Sequence, residues 1–405
     1  METVAAPVTS YRALFGVHGF PRLAVATILV RAGGSMWQLA LVLFVLQRYG
    51  SASLAGLAVF LSVAPGVLVS PLAGALLDRY GRVRLMVLDY AGSAVALTLI
   101  VVLASRQAPL PAILALVVIG SVMNPLGTAG SRSLFPMVVP SHLWDRANAV
   151  DSMFYMITTV LGPPLAGAIT AFVSAEAAIG ASAVVFVAGA IALAGVRDVP
   201  ATREITRGVF AEARDGVGYV LRNRSLRGLA VGMSVVNLGQ GILLVGLPVV
   251  VFERLHADAS VVGGLWSIMG VVGVAVGLAA GKLGSAGRER AMLVGGILVI
   301  GAGFAAAAFA LSLAALIVAV VCIGAGSAVM DVALFSLRQR VTDPEWFGRA
   351  FAVSMHLNYS GIPVGSAISG PLLAISTPFA LLVAVGFAVA AAGLTFVMVP
   401  SSERV

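Results

Sequence analysis

Apolar runs of about twenty residues recur from one end of the chain to the other, each broken by a short polar or glycine-bearing stretch. A run of that length crosses a hydrocarbon core of about 30 Å as an α-helix, the form that pairs its own backbone groups where no water can. The period-two alternation that a membrane β-barrel requires is absent. The pattern predicts spans at 23–46, 53–77, 85–104, 112–131, 148–172 and 175–195, then at 228–252, 259–281, 291–313, 314–337, 352–375 and 377–399. Connections are short except Arg197 to Arg227, a polar stretch of the kind that joins two bundles. The expected architecture is therefore an all-α integral membrane protein with twelve transmembrane helices. Its units are a six-helix bundle over 1–196, a linker over 197–227 and a second six-helix bundle over 228–405.

The second bundle repeats the first. Shifting the chain by 206 positions lays "LAGALLDRYGRVRLM" over "LAAGKLGSAGRERAM", so that Gly81, Arg82, Arg84 and Met86 fall on Gly287, Arg288, Arg290 and Met292. A nearly equal shift pairs "IGSVMNPLG" with "IGAGSAVMD", and Pro140 with Pro344. Two halves in the same orientation, related by an axis along the membrane normal, are the arrangement in which a central site is opened to each side in turn.

Charge then orients the bundle. Of the 25 Lys and Arg residues, the odd-numbered connections hold only Arg48, Arg106 and Arg254, and Arg31 lies inside the first span. The rest, including Arg79, Arg82 and Arg84, the linker arginines, and Arg338, Arg340 and Arg349, are assigned to the other face with both termini. Basic residues are retained on the cytoplasmic side, which predicts cytoplasmic termini. The net charge of +8 then reflects topology and contact with lipid headgroups, and no solvated basic face for nucleic acid is present. Residues 10–22, with Pro21 opening the first span, read as an interfacial segment, and the N-terminus does not read as a cleaved signal peptide. The single cysteine, Cys322, excludes an intrachain disulfide and a cysteine zinc site.

The stretch Gly74-x-x-x-Asp78-Arg79-x-Gly81-Arg82-x-Arg84, after span 2 of twelve, resembles the signature loop of the major facilitator superfamily. Together with the twelve spans, the long linker and the weaker second copy, the resemblance covers nearly the whole chain. It implies that Asp78 caps the start of span 11 across the seam between halves, while the arginines pair with nearby acids, as a conformational gate. "GPPLAG", Gly162 to Gly167, is similar to the Gly-Pro-x-x-Gly-Gly motif of exporters in that superfamily, with Ala166 at its next-to-last glycine and Thr158 where a further glycine is usual. Read physically, Gly162, Pro163 and Gly167 allow close helix packing and a bend, with or without a role in export. "GSRSLFPMVVPSHLWDRANAV" resembles the segment joining spans 4 and 5 in the macrolide-efflux-like and siderophore-exporter-like branch, in Arg132, Pro136, Asn148 and Ala149. Gly34 departs from that branch, which often carries an acid there.

Ionisable side chains inside a span are costly, about 2.5–3.5 kcal/mol at mid-bilayer on insertion scales, and usually face a cavity or a partner. Depth along the spans suggests two pairs, Arg31 with Asp151 and Asp331 with His356; Asp89 is expected to meet Arg82 or Arg84. All four paired residues are candidates for proton coupling. Asp331 is preferred as the carrier, the alternative being an acid that reaches the interface; for Arg31 and Asp151 a purely structural pair stays open. Candidate substrate-binding residues are Arg31, Trp37 and Gln38 in span 1, Asn124 in span 4 and Tyr155 in span 5. Asn237 and Gln240 in span 7, with Asn358 and Tyr359 in span 11, complete them. The family resemblance implies that spans 1, 4, 7 and 10 line the central cavity.

No Gly-x-x-x-x-Gly-Lys loop for nucleotides occurs, the four histidines are scattered, and no paired carboxylates or nucleophile beside a base stand at useful spacing. An enzyme is not expected, nor a metal or other cofactor. The reading is a monomeric secondary transporter in the bacterial inner membrane, exporting amphipathic, drug-like small molecules in exchange for protons, with membrane lipids around it. An importer, a siderophore exporter or a lipid carrier on the same scaffold is the alternative; an intramembrane enzyme or a receptor is the distant one.

Overall fold

The computed structural model describes residues 10–198, 209–343, 346, 353–355 and 357–400. Within these ranges the side chains of residues 71, 74, 75, 78, 132, 136, 145 and 209–213 are not described.

A short helix α1 (Tyr11–Phe15) leads into α2 (Phe20–Tyr49), followed by α3 (Ala52–Tyr80), α4 (Arg82–Ser105), α5 (Leu110–Val138), α6 (Trp144–Phe172) and α7 (Ala175–Ala194). An amphipathic helix, α8 (Val209–Arg222), lies in the linker. The second half comprises α9 (Arg224–Val249), which ends in a π turn over Val250–Arg254, then α10 (Ala259–Leu283), α11 (Glu289–Ala308), α12 (Leu313–Val341), α13 (Gly361–Ile375) and α14 (Thr377–Met398). Eleven of these helices are long and apolar enough to cross a membrane. The remaining expected span, 352–375, contains α13, the rest of it being described only in part.

The halves are packed alike. In the first, α2 lies against α6 and α7, α3 against α5, and α4 against α5 and α7. In the second, α9 lies against α13 and α14, α10 against α12, and α11 against α12 and α14. Replacing each helix by the one seven places later converts the first set into the second, which gives the sequence repeat its three-dimensional form. The same replacement relates the two seams between halves, α3 with α13 and α6 with α10.

Five helices that begin at the arginine-poor end are opened by a side-chain cap. Ser51, Ser174, Ser312 and Ser376 each accept from the N–H three residues on, and Asp258 accepts from Ser260 and Val261. The Ser260 hydroxyl and these N–H groups hold the Asp258 carboxyl below its usual range.

Two helices run further than their apolar runs. α5 reaches Val138 and α12 reaches Val341, so Arg338 and Arg340, assigned from sequence to a connection, are helical. Arg340 pairs with Glu289 of α11. Arg338 is fully buried.

Candidate functional site

Between the halves lies a cavity of about 530 Å³, inside the range of small-molecule sites. α2 contributes Ser35 and Gln38, α6 contributes Tyr155, Met156 and Pro163, and α9 contributes Gln240, whose amide donates to Ser327 of α12 at 3.4 Å. Trp266 and Met269 of α10 and Asp331 and Phe335 of α12 complete the wall. Most of this surface is aromatic, aliphatic or thioether, and Asp331 is the carboxylate exposed in it.

Close backbone contact shuts the cavity at the arginine-poor end. Gly56 of α3 meets the Ser366 carbonyl of α13, and Gly370 of α13 meets the Ser53 backbone of α3, each so closely that a Cβ would lie within 2.1 Å of the opposing atom. At the other seam Gly167 of α6 faces Ala259 and Gly263 of α10, and Gly263 in turn packs on Pro163 and Pro164. Gly162 stands against Ser35 of α2. The "GPPLAG" stretch is thus a packing surface at the seam. At this same end Leu39–Val45 of α2 and Gly241–Val251 of α9 are buried on every face, whereas toward the arginine-rich end Arg31, Ala32, Gly34 and Ser35 are partly exposed. The cavity opens toward the arginine-rich end.

Arg31 and Asp151 come together as their depth suggests. The guanidinium meets the carboxylate at 2.9 Å and donates to the Asp151 carbonyl at 2.8 Å, with the Tyr155 ring 5.9 Å beneath it. Tyr155 in turn approaches Tyr359 of the second half, and Asp331 and Arg338 act on Tyr359. Arg338 lies against the sulfur of Met355; with the Asn358 amide nitrogen donating to the Ser354 carbonyl at 3.0 Å, the amide oxygen accepts from Arg338 at 2.6 Å. Asn237 donates to the Asn358 carbonyl at 2.8 Å and so ties α9 to the residues preceding α13. A belt of polar groups therefore runs from α2 through α6 across the seam to α12.

Other candidates fall elsewhere. Trp37 and Asn124 line a second cavity inside the first half, which Gln38 also touches. Asp89 is buried, accepts from Ser93 at 3.3 Å and packs against Gly127; this replaces the expected arginine contact. His356, the side chains of Asp78, Arg132 and Pro136, and the surroundings of Gly74 lie outside the described residues, and the expected Asp331–His356 pair with them. Among the described residues no group of three His, Cys, Asp or Glu side chains gathers as metal ligands would.

The signature loop has a partner that no motif along the chain signals. Gly81 sits at φ +93°, and the Asp198 carboxylate, just beyond α7, occupies the space where a Cβ would be. That carboxylate accepts from the N–H groups of Arg82, Val83 and Arg84 at 3.1, 3.3 and 3.4 Å, capping α4 from across the bundle. Arg82 donates to Ser133 of α5 at 3.1 Å, and Arg79 stacks over Tyr80. Loss of an N-terminal carboxylate cap costs about 1 kcal/mol. Asp198→Ala is accordingly expected to lower the unfolding temperature of the purified protein, whereas Asp198→Asn, which keeps an acceptor, should recover much of the loss. Equal melting of Asp198→Ala and the wild type would show the cap to be inert.

In the linker, Tyr219 of α8 stacks on Trp346 with ring centroids 4.9 Å apart, and its hydroxyl both donates to the Asp343 carboxylate and accepts from the Asp343 N–H at 3.0 Å. Burial pushes this phenol above the usual tyrosine range. Asn223 donates to the Val341 carbonyl at 3.1 Å. α8 is thereby fastened to the segment that follows α12.

Comparison with known proteins agrees with this fold. The family described as Major Facilitator Superfamily matches residues 23–366. The MFS-type transporter y4rN of Sinorhizobium fredii is 36% identical over 368 residues, covering 90% of this chain and 91% of that one. The multidrug efflux pump Tap of Mycolicibacterium fortuitum is 25% identical over 385 residues, covering 88% and 92%. Among solved structures, the nucleoside transporter NupG superposes with a TM-score of 0.76 at 12% identity, covering 94% of this chain and 99% of that one. A bacterial homologue of the iron transporter ferroportin does so with a TM-score of 0.72 at 17% identity, covering 95% and 98%.

Proposed function

From the premise that this chain belongs to the major facilitator superfamily, and is a multi-pass membrane transporter rather than an enzyme, we propose that it exports amphipathic small molecules in exchange for protons. The observation that carries the proposal is the central cavity: an aromatic and thioether wall, closed at one end, with the carboxylate of Asp331 exposed in it. Aromatic and methionine surfaces accept apolar bodies of varied shape. A sugar phosphate or other strong anion would call for several cationic groups aimed into the site, and here Arg31 is engaged by Asp151 and Arg338 is buried. The name of the similar efflux pump Tap agrees with outward transport of drug-like cargo.

The retention of basic residues on the cytoplasmic side assigns the arginine-rich end, and both termini, to the cytoplasm of a bacterial inner membrane. The conformation is then the one open inward, ready to load cargo for export. In this reading the protein works as a monomer: Asp331 takes up and releases the proton while cargo is held by the surrounding apolar wall, and the belt from Arg31 to Tyr359 lets the seam respond to what is bound. Import, siderophore export and lipid carriage use the same scaffold, since fold does not dictate cargo.

Proteoliposomes of defined orientation separate these readings. With ethidium as the probe, an imposed proton gradient is expected to drive movement from the arginine-rich side to the other, with an external-pH dependence that Asp331→Asn removes while ethidium binding is retained. An unchanged pH profile in Asp331→Asn would reject it as the proton carrier. Gradient-independent movement of fluorescent lipid by the wild type would replace export by lipid carriage.

A further inference from the structure

The first half encloses a second cavity of about 380 Å³ between α2, α3, α4 and α5, which none of the proposed transport steps uses. Its walls differ in kind from those of the central cavity. Ser62 and Ser70 come from α3, Ser93 from α4, and Ser121, Asn124 and Thr128 from α5; α2 supplies the Trp37 ring and the Gln38 amide. Among the described residues no charged side chain is part of the lining.

The hydroxyls are partly committed. Ser62 donates to the Val59 carbonyl, Ser93 to Asp89 and Thr128 to the Asn124 carbonyl, while Ser121 accepts from the Gly66 N–H at 3.0 Å and keeps its own proton to donate. The side-chain amides of Gln38 and Asn124 make no hydrogen bond to another described residue, although each carries two donors and an acceptor. Pro65 in α3 and Pro125 in α5, facing elements of the wall, each remove a backbone donor and favour a bend at this level. Two wall glycines, Gly34 and Gly120, have nothing within 4 Å of the position a Cβ would take, so the space is open on two sides.

A flat indole, two unengaged amides and a ring of hydroxyls without charge form the surface that complements a neutral hydroxylated ring. Its C–H faces pack on the aromatic, and its hydroxyls exchange hydrogen bonds with amides that act as donor and acceptor together. An anion or a cation would find no counter-charge there. Gln38 lines both cavities, so a molecule lying past it occupies both at once. We infer that this second cavity is a subsite for the neutral glycosyl or polyol portion of a two-part substrate whose apolar portion lies in the central cavity. The inference rests on the proposed export of amphipathic molecules and narrows that class to glycosylated or polyhydroxylated ones.

The probe pair is 4-nitrophenyl β-D-glucopyranoside and 4-nitroanisole, which share an aromatic body and differ in the sugar. Binding is read by quenching of tryptophan fluorescence in the full chain reconstituted into lipid nanodiscs. Wild-type protein is expected to bind the glucoside about tenfold more tightly, as one to two net hydrogen bonds give. Gly120→Leu fills open space, and should bring glucoside affinity down to that of the anisole while leaving the anisole unchanged. Asn124→Leu removes one amide at nearly constant volume and should reduce the preference in the same direction, which guards against misfolding of the first variant. Equal affinities in the wild type, or a preference that survives both substitutions, would overturn the subsite and leave the central-cavity reading standing. Failure of both compounds to bind would overturn both.

Discussion

Gly370→Val is expected to abolish transport while leaving the protein folded and inserted. Gly370 meets the Ser53 backbone where α13 crosses α3, and a Cβ there would lie 2.1 Å from the Ser53 Cα. That contact is backbone against backbone, so neither side can yield by changing a rotamer. Nor is there slack nearby, because Gly56 is held as closely against the Ser366 carbonyl on the same crossing. A branched side chain must therefore part the two halves at the arginine-poor end. Alternating access requires that end to close once in every cycle, and two packed bundles switch between discrete arrangements rather than bending continuously. The variant should stay open at the arginine-poor end, with ligand still entering from that side. Initial rates in proteoliposomes, together with the melting temperature, check this. Gly264→Ala in α10 is the control, since its Cβ meets nothing within 4 Å, and it should transport normally. Transport at the wild-type rate by Gly370→Val would mean that this crossing is not the closure.

The same crossing shows what the sequence could and could not reveal. Spans are legible because twenty apolar residues in a row have one stable form in lipid, and the repeat made the pairing of halves legible as well. Which face of each span points inward was hidden. Along the membrane-crossing turns of helices such as α7 and α11 apolar residues surround the axis, lipid and protein interior being equally oily, so periodicity does not separate buried from lipid-facing positions. The family resemblance puts spans 1 and 4 at the central cavity, and with the inward face hidden it carries Trp37 and Asn124 there, whereas both line the neighbouring cavity.

Charged positions divided along the same line. Arg31 and Asp151 were legible as a pair, because ionisable groups at equal depth in adjacent spans have few alternatives. Asp198 was not, because it meets Arg82 from 116 positions away, at a loop surface where many partners are sterically open. The apolar run ends at Leu337 and so puts Arg338 in a connection, whereas α12 continues to Val341 with the guanidinium turned inward. A signal was present: Arg338 follows Asp331 by two helical turns, which puts both on one face.

Arg338→Met is expected to have the second large effect, on stability first. The wild-type guanidinium is fully buried, takes up the Asn358 amide oxygen at 2.6 Å and faces the charge of Asp331. Removing the guanidinium leaves the buried Asn358 amide oxygen without this donor, and a buried acceptor left unsatisfied costs about 1–3 kcal/mol. Lysine is a poor substitute, because it brings a single ammonium where the guanidinium is held at several points. Replacing the partner as well changes the balance: in Arg338→Met with Asn358→Leu the buried polar group left behind is gone, so much of the lost stability should return. Transport should not return with it. Asp331 remains exposed in the cavity without the charge that acts on it, so the pH profile of the double variant should differ from that of the wild type. Melting temperature and pH-dependent uptake of the wild type, both single variants and the double variant form one cycle. If Arg338→Met melts with the wild type, the buried network contributes nothing to the fold. If the double variant recovers both stability and the wild-type pH profile, Arg338 is packing alone and has no part in tuning the carrier.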